Sequence, residues 1–216
     1  MSDSQLESSW VREPGEGDQT LEENWLFSLR RRRYRSRVSG RAHAFYVVDV
    51  ADAVTVVALT PDEHLLFVRQ FRIGSGRDSL ETPGGLVDPG EDPLTAATRE
   101  LLEETGYAGD PPLLLGSVWT NPSILSSKTI IALITNARKV AELKLDHGEE
   151  LTVELVPARS IPAMIQDGRI DHAIVVCGLL WWMARPSILS QSLATERAEA
   201  GLEKSQPVRG GRVPGD

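Results

Sequence analysis

Glu100, Glu103 and Glu104 stand at i, i+3 and i+4, so a helix through them carries three carboxylates on one face. Each like-charge pair costs on the order of 0.2–0.5 kcal/mol even when exposed. The three also fall late in the helix, where the backbone dipole disfavours negative charge. A sequence selected for stability alone would place lysine or arginine there. A divalent cation removes both penalties, and carboxylate oxygens are hard donors suited to magnesium or manganese. Such a site suits phosphorus chemistry: it polarises a phosphoryl oxygen, neutralises leaving-group charge and acidifies an attacking water. Arg99 stands within the same segment and Glu91 just before it. Arg99 can hold a glutamate in a bidentate pair and so fix its rotamer. Gly84 and Gly85 allow the backbone to approach a metal or phosphate closely.

The elements that position these groups are legible. Asp92 is a good N-cap, Pro93 suits the first helical turn, and Gly106 is a good stop. Leu94, Ala97 and Leu101 give the intervening helix an apolar face. Phe45–Val50, Val54–Thr60 and Leu65–Val68 are β-rich, and the turn signal Pro61-Asp62-Glu63 predicts a hairpin over 53–69. Strands are also expected at Leu113–Trp119, Thr129–Thr135 and Leu151–Val156, and a short helix at Ile161–Gln166. A last apolar helix follows Asp171, read as its cap. Strands and helices mixed without regular alternation point to an α+β chain, or a mixed sheet with helices on its faces.

A chain of 216 residues fits one generous domain with appendages. Residues 1–22 read as a flexible leader, 23–52 as N-terminal strands, 53–186 as the main domain and 187–216 as a flexible tail. The single cysteine, Cys177, lies in an apolar run and reads as packing; no internal disulfide is possible. No signal peptide is evident and the longest apolar run, 173–184, is too short to span a bilayer, so the cytoplasm is the default address. The net charge of −8 disfavours nonspecific nucleic-acid binding. Six arginines around Tyr34, from Arg30 to Arg37, are the local exception. Against this acidic balance they read better as an interfacial or solvated strand facing acidic groups than as an RNA-binding strip.

The segment 85–107 resembles the Nudix box, G-x5-E-x7-R-E-U-x-E-E-x-G-U with U apolar. Gly85, Glu91, Arg99, Glu100, Glu103, Glu104 and Gly106 fill every fixed place; Leu101 and the aromatic variant Tyr107 fill the U places. With residue frequencies of roughly 6%, a chance match in such a chain is on the order of 10⁻⁷. The resemblance implies an α/β/α sandwich with a mixed sheet, and hydrolysis of a nucleoside diphosphate linked to another moiety. It implies metal ligation by Glu100 and Glu104, with Glu103 as ligand or base, and a magnesium cofactor that manganese could replace. Arg99 and Glu91 match positions that orient the helix and loop.

Beyond the box the chain is similar to the ADP-ribose pyrophosphatase branch. Gln70-Phe71-Arg72 matches a motif whose arginine commonly contacts substrate, and Glu81 lies in a segment resembling L-E-x-P-A-G. Gly84 takes the alanine place of that segment, whose carbonyl often reaches metal. Pro122 falls sixteen residues after Gly106, the spacing that marks ADP-ribose specificity, although the glycine usual after this proline is replaced by Ser123. Glu149 matches an acid that can join the metal site. His147 stands where some relatives place a glutamate proposed as base, so Glu103, Glu149 and His147 are the three candidates for general base. The branch resemblance further implies a homodimer built through strands of residues 25–50. Other substrates consistent with the fold are dinucleotides and dinucleoside polyphosphates. A silent nucleotide-sugar-binding module is the alternative of another class, and the intact box glutamates weigh against it.

Overall fold

A computed structural model of the chain describes residues 8–13, 18–145, 148 and 150–185. The strands are β1 (Trp10–Arg12), β2 (Gln19–Glu23), β3 (Phe27–Ser36), β4 (Ala42–Val50), β5 (Ala53–Ala58), β6 (His64–Arg72) and β7 (Arg77–Glu81). Helix α1 (Pro93–Thr105) leads to β8 (Tyr107–Ala108), β9 (Leu113–Trp119), β10 (Lys128–Ile134), β11 (Arg138–Lys139) and β12 (Leu151–Pro157). Helices α2 (Ile161–Gln166) and α3 (Ala173–Met183) follow.

The period-two alternation of the central strands sorts their side chains onto two faces. Val54, Val56, Ala58, Leu66, Ala132 and Ile134 pack with Ala96, Ala97 and Leu101 of α1. Val57, Leu65, Phe67, Leu80, Ile131 and Leu133 pack on the opposite face with Ile161 and Met164 of α2 and Val175, Leu179 and Trp182 of α3. The result is helix, sheet, helix. The sheet is mixed: β10 runs parallel to β5 and antiparallel to β9. Strand β6 pairs antiparallel with both β7 and β12. The chain leaving β7 joins these two groups, because Val56 N–H donates to Pro83 O and Val54 N–H to Gly85 O, both at 2.8 Å.

The hairpin expected over 53–69 is not one. The turn at 61–63 forms, but β5 and β6 meet only at the Leu59–Leu65 bridge, and each pairs with partners distant in sequence. Both strands are apolar on both faces, and such strands favour interior positions with neighbours on either side. The expected leader is also part of the fold where it is described: β1 and β2 both pair with β3, and β4 pairs with the same strand in a four-stranded antiparallel sheet. The expected tail, 187–216, lies outside the described residues. Helix α3 begins after His172, which makes no side-chain cap. Asp171, expected as the cap, instead pairs with Arg77.

Candidate active site

Helix α1 starts and stops as its sequence dictates. The Asp92 side chain accepts from Leu94 N at 3.0 Å and Thr95 N at 3.2 Å, and Pro93 opens the helix. Gly106 closes it with φ 73°, a left-handed conformation that favours glycine, and its N–H donates to Leu102 O. Apolar burial of Ala97 and Leu101 fixes the rotation of the helix, which turns the glutamate face toward the chain between β7 and α1.

Glu104 is 3% exposed, and its Oε2 accepts from Gly84 N–H at 2.8 Å. Glu100 lies against Gly85: a Cβ built there would fall 2.4 Å from Glu100 Oε1. At Gly84 a Cβ would fall 2.1 Å from Val54 O, so this turn lies flat against β5. Two glycines thus allow two glutamates and a strand to converge. Arg99 knits the remainder. Its Nε donates to Glu91 Oε1 at 3.0 Å and its Nη2 to Glu91 Oε2 at 2.9 Å. Its Nη1 reaches Glu100 Oε1 at 2.7 Å and Glu103 Oε2 at 3.2 Å, and its Nη2 also donates to Leu86 O at 3.1 Å. The hydrogen bonds to Glu91, then those to Glu100 and Glu103, hold the guanidinium still more firmly protonated than usual. Reciprocally, the Arg99 hydrogen bonds hold the Glu91 carboxyl below its ordinary value.

A second group stands where β6 and β7 pair. Arg72 Nε donates to Glu81 Oε1 at 2.9 Å and its Nη2 to Oε2 at 2.6 Å. Burial pushes the Glu81 carboxyl up, but the Arg72 hydrogen bonds and charge, the nearby His172 and Ser79 pull harder, and it settles below the usual carboxylate value. Gln70 is half-buried and pairs in register with Ser79. Alternation places Gln70 and Arg72 on the same face of β6 as Leu66, the face that α1 covers.

The structure therefore brings Gly84, Arg99, Glu100, Glu103 and Glu104 together, with Gln70, Arg72 and Glu81 on the same side of the sheet. Pro122 lies in the β9–β10 loop, which is pinned to β4 by Val48 N–H to Ile124 O at 2.8 Å and Ser126 N–H to Val48 O at 3.1 Å. Glu149 and His147 lie outside the described residues. The sequence reading passed over Asp52. Its carbonyl accepts from Val87 N at 2.9 Å and its carboxylate from Lys128 N at 2.7 Å, tying the loop before α1 to β10. No local pattern flags it, because both contacts depend on strand register.

Among the described residues no three His, Cys, Asp or Glu side chains are already grouped to hold a metal ion. The donor chemistry nevertheless fits a hard divalent ion. Glu100 and Glu104 meet one glycine turn, and magnesium usually completes its shell with waters and substrate phosphates rather than a protein cage.

A mixed sheet between helices, with a glutamate-faced helix stacked on a glycine turn, defines a phosphoanhydride-hydrolase type of site. The NUDIX domain family matches residues 49–177, and the chain belongs to that family as a Nudix hydrolase. It is 30% identical over 164 residues to an ADP-ribose pyrophosphatase of Mycobacterium tuberculosis, covering 75% of this chain and 79% of that protein. It is 37% identical over 128 residues to the ADP compounds hydrolase NudE of Escherichia coli, covering 59% and 68%. The crystal structure of an ADP compounds hydrolase superposes with a TM-score of 0.71 at 23% identity, over 85% of this chain and 96% of that one, a likeness of fold.

Proposed function

We propose that this chain hydrolyses the diphosphate linkage of ADP-ribose or a related nucleotide sugar with magnesium as cofactor, giving AMP and ribose 5-phosphate from ADP-ribose. The observation that carries the reading is the convergence of Glu100 and Glu104 on the Gly84–Gly85 turn. The relatives named for ADP-ribose and ADP compounds support the substrate class. Glu100, Glu104 and the Gly84 carbonyl would hold the ion, with Glu103 and Glu149 as further donors; manganese is a chemically similar substitute. When bound, such an ion neutralises phosphate charge and acidifies the attacking water. Arg99 fixes the Glu100 and Glu103 carboxylates against the loop. Glu103, half-buried with its carboxylate bonded to Arg99, is one residue that could take a proton, and Glu149 and His147 are the other two on the strength of sequence alone. We assign substrate contact to Arg72, oriented by Glu81, and to Gln70 on the same face of β6, with Pro122 of the β9–β10 loop as the third such residue.

The reading includes a homodimer. The sheet of β1–β4 carries Trp10, Tyr34 and Phe45 on one face and Phe27 and Leu29 on the other, yet no hydrophobic residue before Val54 is fully buried among the described residues. A sheet of this size is stable when one face is covered, and a second copy of the same sheet is a fitting cover. The arginines of β3 are largely paired within it: Arg30 and Arg32 with Asp49, Arg33 and Arg35 with Glu13. That pairing favours an interfacial strand over an RNA-binding one. No described helix is long and apolar enough to cross a membrane.

The deciding experiment incubates the protein with magnesium and ADP-ribose, nucleotide sugars, dinucleoside polyphosphates and capped RNA, and identifies products by mass. AMP and ribose 5-phosphate, fastest from ADP-ribose and abolished by chelator, is the expected result. Fastest turnover of a dinucleoside polyphosphate or capped RNA would overturn the substrate. Sedimentation as a monomer at micromolar concentration would overturn the dimer.

A further inference from the structure

Trp119 and Lys128 face each other across β9 and β10 at the foot of the Pro122 loop. The Lys128 ammonium sits 4.7 Å above the Trp119 ring centroid. Such a cation–π contact orients the indole. Lys128 has no carboxylate partner for its ammonium among the described residues; Asp52 takes its backbone N–H instead. Trp119 remains 53% exposed, a large apolar surface left in water.

Their position gives this exposure a direction. Along β10, Lys128 falls on the same face as Ile130, Ala132 and Ile134, whose side chains pack on the α1 side. Trp119, its register partner, shares that face, as does the glutamate site. Gly116, three positions before Trp119 and paired with Ile131, abuts Trp181 of α3 on the opposite face. A continuous set of contacts links the pair to the glutamates: Lys128 N–H to Asp52, Val87 N–H to Asp52 O, Arg99 to Leu86 O and Arg99 to Glu100. Ala53 bridges Leu86 on one side and pairs with Thr129 on the other, so Lys128 lies about two strand spacings, roughly 10 Å, from the loop that carries Leu86. The loop between the two residues is fixed, by its bonds to β4 and by Thr120 Oγ1 to Thr129 Oγ1 at 3.0 Å.

We propose that the open face of Trp119 stacks the nucleobase of the substrate while its diphosphate lies at the glutamate helix, with Lys128 as the positioning residue that holds the indole. This inference rests on the nucleoside diphosphate reading and adds how the base end is recognised. Stacking on an aromatic side chain contributes about 1–3 kcal/mol per base, or roughly 5- to 150-fold in affinity. The bonds broken in the reaction lie elsewhere, so the pair affects binding rather than the chemical step.

The test measures steady-state kinetics with ADP-ribose and the quenching of tryptophan fluorescence by AMP, using wild type, Trp119→Leu, Trp119→Phe and Lys128→Met. Trp119→Leu is expected to raise KM by roughly 5- to 150-fold with kcat little changed. Trp119→Phe should restore most of that loss, Lys128→Met should cause a smaller rise in KM, and AMP quenching should disappear in Trp119→Phe. Unchanged KM in Trp119→Leu, or a fall in kcat with unchanged KM, overturns the proposal while leaving the hydrolase reading intact. Wild-type protein that neither turns over ADP-ribose nor binds AMP overturns the substrate reading, and this inference with it.

Discussion

Glu104 reaches back twenty positions along the chain to accept a hydrogen bond from Gly84 N–H at 2.8 Å. That bond joins the middle of the site to its glycine turn, and it separates charge from structure. In Glu104→Gln the amide oxygen can still accept from Gly84, so the fold should persist. Turnover should drop on the order of 10²–10³-fold, the scale of losing one preorganised electrostatic contact. Glu104→Ala leaves the Gly84 N–H without its partner at a cost of about 1–3 kcal/mol, so it should lower the melting temperature as well. Glu100→Gln should behave as Glu104→Gln does. Paired kinetic and thermal measurements check this; near-wild-type rates in both glutamine variants would sink the assignment of these carboxylates.

The two adjacent glycines should respond differently to the same substitution. A methyl at Gly84 meets the Val54 carbonyl at 2.1 Å, which is backbone and cannot turn aside. Gly84→Ala is expected to cost about 2–3 kcal/mol, or roughly 5–10 °C in melting temperature for a chain of this size. At Gly85 the methyl meets the Glu100 carboxylate at 2.4 Å, the far end of a flexible side chain. Gly85→Ala should therefore melt close to wild type and lose turnover, because Glu100 moves. Calorimetry beside a rate assay distinguishes the two. Equal melting temperatures would show that β5 yields at Val54.

These contrasts mark where sequence reading ends. The helix boundaries, its buried face and its glutamates follow from local rules, and Asp92, Pro93 and Gly106 behave as their types require. Cys177 is half-buried, and burial raises its thiol pKa, as a packing role demands. Strand partnership was not legible. β5 and β6 are adjacent in sequence and β-rich, yet nothing local says that β5 pairs with β10, seventy-six positions on from Ala53 to Thr129. For the same reason Asp52, Trp119 and Lys128 went unnoticed: their significance lies in register. β1 and β2 were missed because short, exposed, polar strands resemble linker in composition.

Arg99 provides a test of organisation rather than of charge. Its fork meets Glu91 through two nitrogens while a third reaches Glu100 and Glu103. Lysine keeps one positive charge but cannot make that fork. Arg99→Lys should thus retain most of the stability and lose turnover by about ten- to a hundredfold, from disordered carboxylates. Arg99→Ala should lose more turnover. Full activity in Arg99→Lys would mean that charge alone is what the site requires.

Arg72 and Glu81 yield a pH signature. The Glu81 side chain is buried and its folded pKa is below the ordinary value, so the pair contributes stability above the unfolded carboxyl pKa of about 4.3. That contribution is lost as pH falls through the depressed folded value. In Arg72→Ala burial dominates instead, and the folded pKa of Glu81 moves above the unfolded one. A carboxyl so placed stabilises only in its neutral form, and stability is lost as pH rises toward the raised value. The gap between wild type and Arg72→Ala should therefore be small near pH 4 and widen toward pH 7. Arg72 keeps 45% of its side chain in water, so the gap at pH 7 should be about 1–3 kcal/mol, below the 3–5 of a fully buried pair. Urea denaturation at both pH values measures it. Adding Glu81→Gln to Arg72→Ala should flatten the profile, since no carboxyl then remains to ionise. A gap that stays constant between pH 4 and 7 would show that Arg72 supports the hairpin by packing and that Glu81 is not its electrostatic partner.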